Sequence, residues 1–303
     1  MKIIEMLGPQ PIFNLLPIRY FKPAEILFVG TPETRDTARH MQNLLKGQAE
    51  IHLTEVRRPH DPYDVHKLVS KKLRKLGWET EDVVFDISGG SKMQAFGIAK
   101  LAREGNSRAV TVELVGGRYR LLRYYPKKKV LHFESEETLP DLIDIGDYFH
   151  AHLPGFQVDG VAKNKKGRVD VGGRFEHTIY RALKPHVDEI LSGVRPAGVS
   201  EQIEIDLVVR RSNRIGIMEA KTGVKKAGID QLDTAGNPKY LGEHAVKFLV
   251  TGRYLPRAHK MLAIAQGIQV IELPGYIDGR RLPQQEESRL VDTVKRSLGG
   301  QRT

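Results

Sequence analysis

The chain of 303 residues contains no cysteine and a single tryptophan, and no apolar run approaches the roughly 18 residues that a membrane span requires. Without cysteine there are no disulfides, thiolate metal sites or cysteine nucleophiles, which leaves carboxylate, histidine and hydroxyl groups to carry any chemistry. Pro9, Pro11, Pro17 and Pro23 interrupt every apolar stretch near the start. No signal-peptide pattern forms there, and the expected location is the cytoplasm, with no membrane partner. Hydrophobic residues at 40% and charged residues at 28% are ordinary globular values and exclude a largely disordered chain.

What the sequence has in excess is positive charge. The formal net charge is +11, which points to an anionic partner, most economically nucleic acid. The excess is uneven: residues 1–150 hold 23 Lys and Arg against 20 Asp and Glu, whereas residues 151–303 hold 25 against 17. The length exceeds one average domain. Two domains with different jobs are therefore expected, at 1–150 and 151–303.

From Glu25 the first half alternates strand and helix patterns. Glu25–Gly30, Ile51–Val56, Asp82–Ile87 and Arg108–Leu114 read as strands; Pro32–Lys46, Asp61–Leu76 and Ser91–Arg103 read as helices. This alternation predicts an α/β fold with a doubly wound, mainly parallel sheet. Such sheets bind ligands where strand ends turn into helices. Two turns qualify: Gly30-Thr31, and Ser88-Gly89-Gly90-Ser91-Lys92-Met93. Glycine there lets backbone amides approach an anion, and Ser91 and Lys92 add a hydroxyl and a charge. A tight turn of this kind also takes glycine without any ligand, and neither the Walker A nor the GxGxxG spacing is present. Asp141 to Gly155 reads as a connector, followed by a Gly- and Lys-rich stretch through Gly173.

The second half carries Glu204-Ile205-Asp206-Leu207-Val208-Val209, a basic turn-like segment Arg210–Arg214, then Ile215-Gly216-Ile217-Met218-Glu219-Ala220-Lys221. Glu219 and Lys221 share one strand face, and a hairpin brings Asp206 near both. Two carboxylates among Val, Ile and Met are costly to bury without a cation. A hard divalent ion meets that need, and Lys221 beside it can hold an attacking water or stabilise charge on a phosphate. The helix pattern after Gly172-Gly173 projects Glu176 from its first turn, and a further helix from Gly228 carries Gln231.

The order Glu176, Asp206, Glu219-Ala220-Lys221, Gln231 resembles the PD-(D/E)xK nuclease superfamily, with Ile205 in place of the literal proline. The first half looks like a CRISPR-associated Rossmann-fold (CARF) domain, on the strength of Leu7–Pro17, the Gly30-Thr31 turn and Asp86-Ile87-Ser88-Gly89-Gly90-Ser91-Lys92-Met93. The two in this order are similar to CRISPR ancillary nucleases, which sense cyclic oligoadenylates made in type III responses. The resemblance implies a CARF sensor joined to a restriction-endonuclease-like domain, cleaving DNA and/or RNA. It implies Mg or Mn on Asp206, Glu219 and the Ala220 carbonyl, water positioned by Lys221, and an acidic site completed by Glu176. It further implies cyclic tetra-adenylate as activator, held by Gln10, Asn14, Gly30, Thr31 and Ser88 to Met93 in a homodimer that switches allosterically. Two alternatives stay open: a repair or restriction nuclease without cyclic-nucleotide control, and a ligand-controlled regulator that binds nucleic acid without cutting it.

Overall fold

The structure is a computed structural model and describes residues 1–161, 169–198, 203–223 and 227–299. Of the Gly- and Lys-rich stretch, 162–168 lies outside the described residues. The fold is mixed α/β, with two multi-stranded sheets in two compact units: Met1–Ile143 with His150–His152, and Asp144–Phe149 with Leu153–Thr303. No helix among the described residues is long and apolar enough to cross a membrane.

The first unit runs β1 (Lys2–Met6), α1 (Ile12–Phe21), β2 (Glu25–Gly30), α2 (Arg35–Leu44), β3 (Glu50–Glu55), α3 (Pro62–Leu76), β4 (Val83–Asp86), α4 (Lys92–Glu104), β5 (Ala109–Val115), β6 (Arg118–Lys127) and β7 (Val130–Thr138). Its sheet has the order β3-β2-β1-β4-β5-β6-β7, parallel through β5 and antiparallel for the last two pairings. Order reverses between β1 and β4, and the crevice at that switch point is where such sheets take ligands. Ile4, Met6, Leu27, Val29 and Phe85 join Val65, Val69, Leu73 and Ile98 in one core. Fully burying each such side chain stabilises the fold by about 1.5–3 kcal/mol.

Two elements precede the pattern read from Glu25. β1 is the strand around which the sheet order turns, and α1 contains Pro17 in its interior with Pro11 as its N-cap. Proline removes one intrahelical donor. Burial of Ile12, Leu15, Leu16 and Ile18 nevertheless holds this helix in place. The stretch read as a connector also carries a helix, α5 (Ile145–His152). Asp144 caps it, its carboxylate accepting from the Asp147 amide at 2.6 Å.

The second unit continues β8 (Phe156–Val158), α6 (Val171–Leu183), β9 (Glu189–Pro196), β10 (Ile205–Arg211), β11 (Arg214–Lys221), α7 (Ala227–Ala235), α8 (Pro238–Leu241), β12 (Val246–Thr251), α9 (Arg257–Ala265), β13 (Ile268–Glu272) and α10 (Gln284–Ser297). Its sheet order is β13-β12-β11-β10-β9-β8. β10 and β11 form a hairpin in the register Leu207–Met218 to Arg211–Arg214. The turn is therefore shorter than the segment Arg210–Arg214 read from sequence, because Arg210, Arg211 and Arg214 pair in the ladder. Phe175, Ile179 and Leu183 of α6 share a core with Leu207, Val209, Met218 and Ala220. Side chains alternate along a strand, so Asp206, Glu219 and Lys221 lie on the other face of the sheet. There Gly228 of α7 packs close, and a methyl group added to it would stand 3.3 Å from Lys221 Cγ.

Candidate functional site

In the first unit the ends of β2, β1 and β4 lie side by side, which brings Gly30-Thr31, the Leu7–Pro11 loop and Ser88–Lys92 to one edge of the sheet. The Ser88–Lys92 turn is braced from below. Asp86 Oδ1 accepts from the Ser88 amide at 2.9 Å and from the Ser88 hydroxyl, whose oxygen accepts from the Val112 amide at 2.7 Å. Ser91 caps α4 in a reciprocal box with Gln94: the Ser91 amide donates to Gln94 Oε1 at 2.8 Å, and the Gln94 amide donates to Ser91 Oγ at 3.3 Å. The glycines are required by contact. A methyl group on Gly89 would lie 2.0 Å from the Met6 carbonyl oxygen, and one on Gly8 would lie 2.8 Å from the Gly90 amide. Lys92 and Met93 are exposed beside this turn.

Beneath the turn sits a polar pair that the sequence reading passed over. Glu5 and Asp86 are register partners on adjacent parallel strands, and both are fully buried. Two neighbouring buried carboxyl groups do not both ionise readily, so the pair retains a proton in the folded state. Burial first, then the charge of Asp86, holds Glu5 well above the usual carboxylate range; burial pushes Asp86 from its ordinary 3.8 to about 6. Asn14 donates its amide to Glu5 Oε2 at 2.9 Å and to the Met6 carbonyl at 2.8 Å. Asn14 thus stands in the core as a brace, with none of its surface exposed. The sign of the pH effect follows. The folded state keeps a proton that the unfolded chain releases, so this pair weakens the fold as pH rises from about 3.8 through about 6. Glu5→Gln supplies a permanent N–H toward Asp86. Thermal melts should show the variant more stable than the parent near about pH 8, with the gap closing at acid pH; a constant gap would remove the retained proton.

In the second unit the hairpin sets Asp206 one step beyond the Leu207–Met218 pair, alongside Glu219. Asp206 Oδ2 accepts from the Ala220 amide at 2.7 Å and stands 3.8 Å from Lys221 Nζ, which forms an ion pair with Glu219 Oε1. The Glu219 side chain is 2% exposed and that of Asp206 13%. Burial raises the Asp206 carboxyl. Burial, then the charges of Asp206 and Glu176, push Glu219 from 4.5 to about 8, against the opposing pull of Lys221. Lys221 is raised although burial alone would lower it, because Asp206, Glu219 and Glu176 hold its proton. Within these four groups three acids face one lysine. A deficit of positive charge among oxygen-only donors fits a hard divalent cation. N–H and C=O of one residue share an edge of a strand, so the Ala220 carbonyl faces the β10 side along with its amide.

No family model matches the chain, and no curated protein matches it. Solved structures match along its length. Can2 from Sulfobacillus thermosulfidooxidans, in complex with cyclic tetra-adenylate, superposes with a TM-score of 0.74 at 14% identity, over 96% of this chain and 98% of that one. Protein VC1899 from Vibrio cholerae gives 0.74 at 13%, over 99% of each chain. A type III CRISPR defence DNA nuclease activated by cyclic oligoadenylate gives 0.67 at 16%, over 96% of this chain but 51% of that one, so this chain spans about half its length. The likeness is one of fold.

The residues singled out in the sequence are not all gathered. Gly30 and Thr31 line a cavity of about 350 Å³ with Arg35 and Glu55, and none of Ser88 to Met93 lines it. Gln10 lies in the loop between them, at intermediate exposure. Glu176 is buried, and its charge acts on Glu219 and Lys221 from α6. Gln231 is exposed on α7. Among the described residues, the one trio of acid and histidine groups whose ligand atoms all lie within 4.8 Å is Glu25, Glu50 and His52. Asp206, Glu219 and Glu176 do not form such a trio. The signal that Glu5 offered in sequence was a single acid inside the apolar run Lys2–Met6.

Proposed function

We propose that this protein is a metal-dependent nuclease of type III CRISPR defence, switched on by a cyclic oligoadenylate, with cyclic tetra-adenylate the best-supported ring. The observation that carries the reading is the buried set Asp206, Glu219 and Lys221 on one hairpin, in a chain whose fold matches end to end a structure holding cyclic tetra-adenylate. In this reading the first unit is a CARF sensor and the second a PD-(D/E)xK nuclease, acting on DNA and/or RNA.

Asp206, Glu219 and the Ala220 carbonyl would hold Mg or Mn, with Glu176 completing the acidic site. Bound there, the ion supplies Lewis-acid stabilisation of the phosphodiester. Lys221 orients the attacking water and offsets charge that develops on the phosphoryl oxygens. The fixed amide of Ala220 keeps one Asp206 oxygen occupied and so sets the direction of the other. In the sensor, the Ser88–Lys92 turn offers amides, a hydroxyl and a lysine to adenylate phosphates. A ring with twofold symmetry suits two such turns facing each other across a homodimer. Contacts from both copies would favour one relative arrangement and bias the nuclease units through it.

The test is incubation with supercoiled DNA and with single-stranded RNA, with and without cyclic tetra-adenylate, in Mn and in EDTA. Cleavage that needs both metal and ring is expected. Cleavage indifferent to the ring would reassign the protein to restriction or repair, and ring-dependent retention without cutting would make it a regulator.

A further inference from the structure

On the second unit a cleft of about 380 Å³ is lined by Arg174, His177 and Arg181 of α6, by Arg280 and Arg281 before α10, and by Glu287. The α6 residues are spaced i, i+3, i+7 and form a stripe on the flank away from Phe175, Glu176 and Ile179, which are buried. Arg174 is committed, donating to both carboxylate oxygens of Asp278 at 2.7 and 2.6 Å. Arg181, Arg280 and Arg281 are exposed and make no ion pair or side-chain hydrogen bond among the described residues. Lys184, over the Tyr180 ring at 5.5 Å from its centroid, extends the positive strip.

Three arginines without an ion pair line a concavity that holds one lining acid, and like charges gathered there favour an anion. Their planar forks match phosphate oxygens in pairs. We propose that this cleft grips the sugar–phosphate backbone of the nucleic acid, away from the carboxylates; the inference rests on the nuclease reading and adds where the substrate is held. Since α6 carries both Glu176 and the arginine stripe, one element joins the grip to the acidic site.

The experiment measures binding of fluorescein-labelled DNA and RNA in EDTA, where nothing is cut, across a salt series. It compares the parent, an Arg181→Gln/Arg280→Gln/Arg281→Gln variant and the corresponding triple Lys variant. Each lost phosphate contact lowers the slope of log affinity against log salt by about 0.7–0.9. The Gln variant should lose about 2–3 from the slope and bind roughly a hundredfold more weakly at about 0.1 M salt. The Lys variant should keep the slope, which separates lost charge from lost fold. An unchanged slope in the Gln variant, or a parent that binds no nucleic acid, would overturn the cleft. Cleavage by the parent in Mn is scored separately: a normal slope loss without cleavage leaves the grip standing and removes the nuclease reading.

Discussion

Glu219→Gln should lower metal-dependent cleavage of nucleic acid by at least about 10³-fold. The side chain is 2% exposed and fixed between Asp206 and Lys221, so the amide fits the same space and the change is one of charge. Losing a carboxylate from a divalent site removes several kcal/mol of transition-state stabilisation, and about 1.36 kcal/mol corresponds to tenfold in rate. The same residue sets a pH dependence. With Glu219 at about 8, the metal-free protein carries a proton there at neutrality that a cation must displace. At limiting Mg or Mn, activity should climb with pH and level off above about 8. Stability runs the other way in the absence of metal. Between the ordinary 4.5 and about 8 the folded state holds a proton the unfolded chain has released, so thermal melts in EDTA should fall across that window. Saturating metal should flatten the fall. Cleavage at the parent rate by Glu219→Gln would dismiss this centre.

The parts of the molecule legible in sequence were those whose physics is local. β2 has the bounds read from its apolar run, and Ser91 stands at the start of α4 where a capping residue belongs. The carboxylate hairpin was legible because period-2 alternation places Glu219 and Lys221 on one face, and a short turn returns the chain to Asp206. What escaped depends on distant partners. Pro11 and Pro17 read as breaks, yet the first caps α1 and the second sits within it, because the apolar face packs regardless. The bonds of the Asn14 amide to Glu5 and Met6 are announced by no local pattern, since they are made to a strand paired with one some eighty residues later. Nothing near Glu5 in sequence announces Asp86. The stripe on α6 escaped for a related reason: its cleft closes only with Arg280 and Arg281, about a hundred residues on.

Gly89→Ala should remove the response to cyclic tetra-adenylate altogether. The added methyl group would overlap the Met6 carbonyl oxygen at 2.0 Å and press on Asn14 Nδ2 at 2.8 Å. Both neighbours are anchored. Met6 lies in β1, between β2 and β4, and Asn14 is tied to Glu5, so the turn must move and its amides lose their aim. Forcing a methyl group into so packed a site costs about 1–3 kcal/mol, visible as a lower melting temperature. Lys92→Ala separates the two effects. Its side chain is exposed at the first position of α4, so the fold should melt as before while ring affinity falls about 10–100-fold, the worth of one charge-assisted hydrogen bond. Calorimetric titration with cyclic tetra-adenylate decides the matter. Parent affinity in Lys92→Ala would move the ring elsewhere, and the cavity at Gly30 and Thr31, with Arg35 and Arg39 on its wall, would become the place to look. Parent activation in Gly89→Ala would show that the turn tolerates displacement, and the brace built from Glu5, Asp86 and Asn14 would then serve the fold alone.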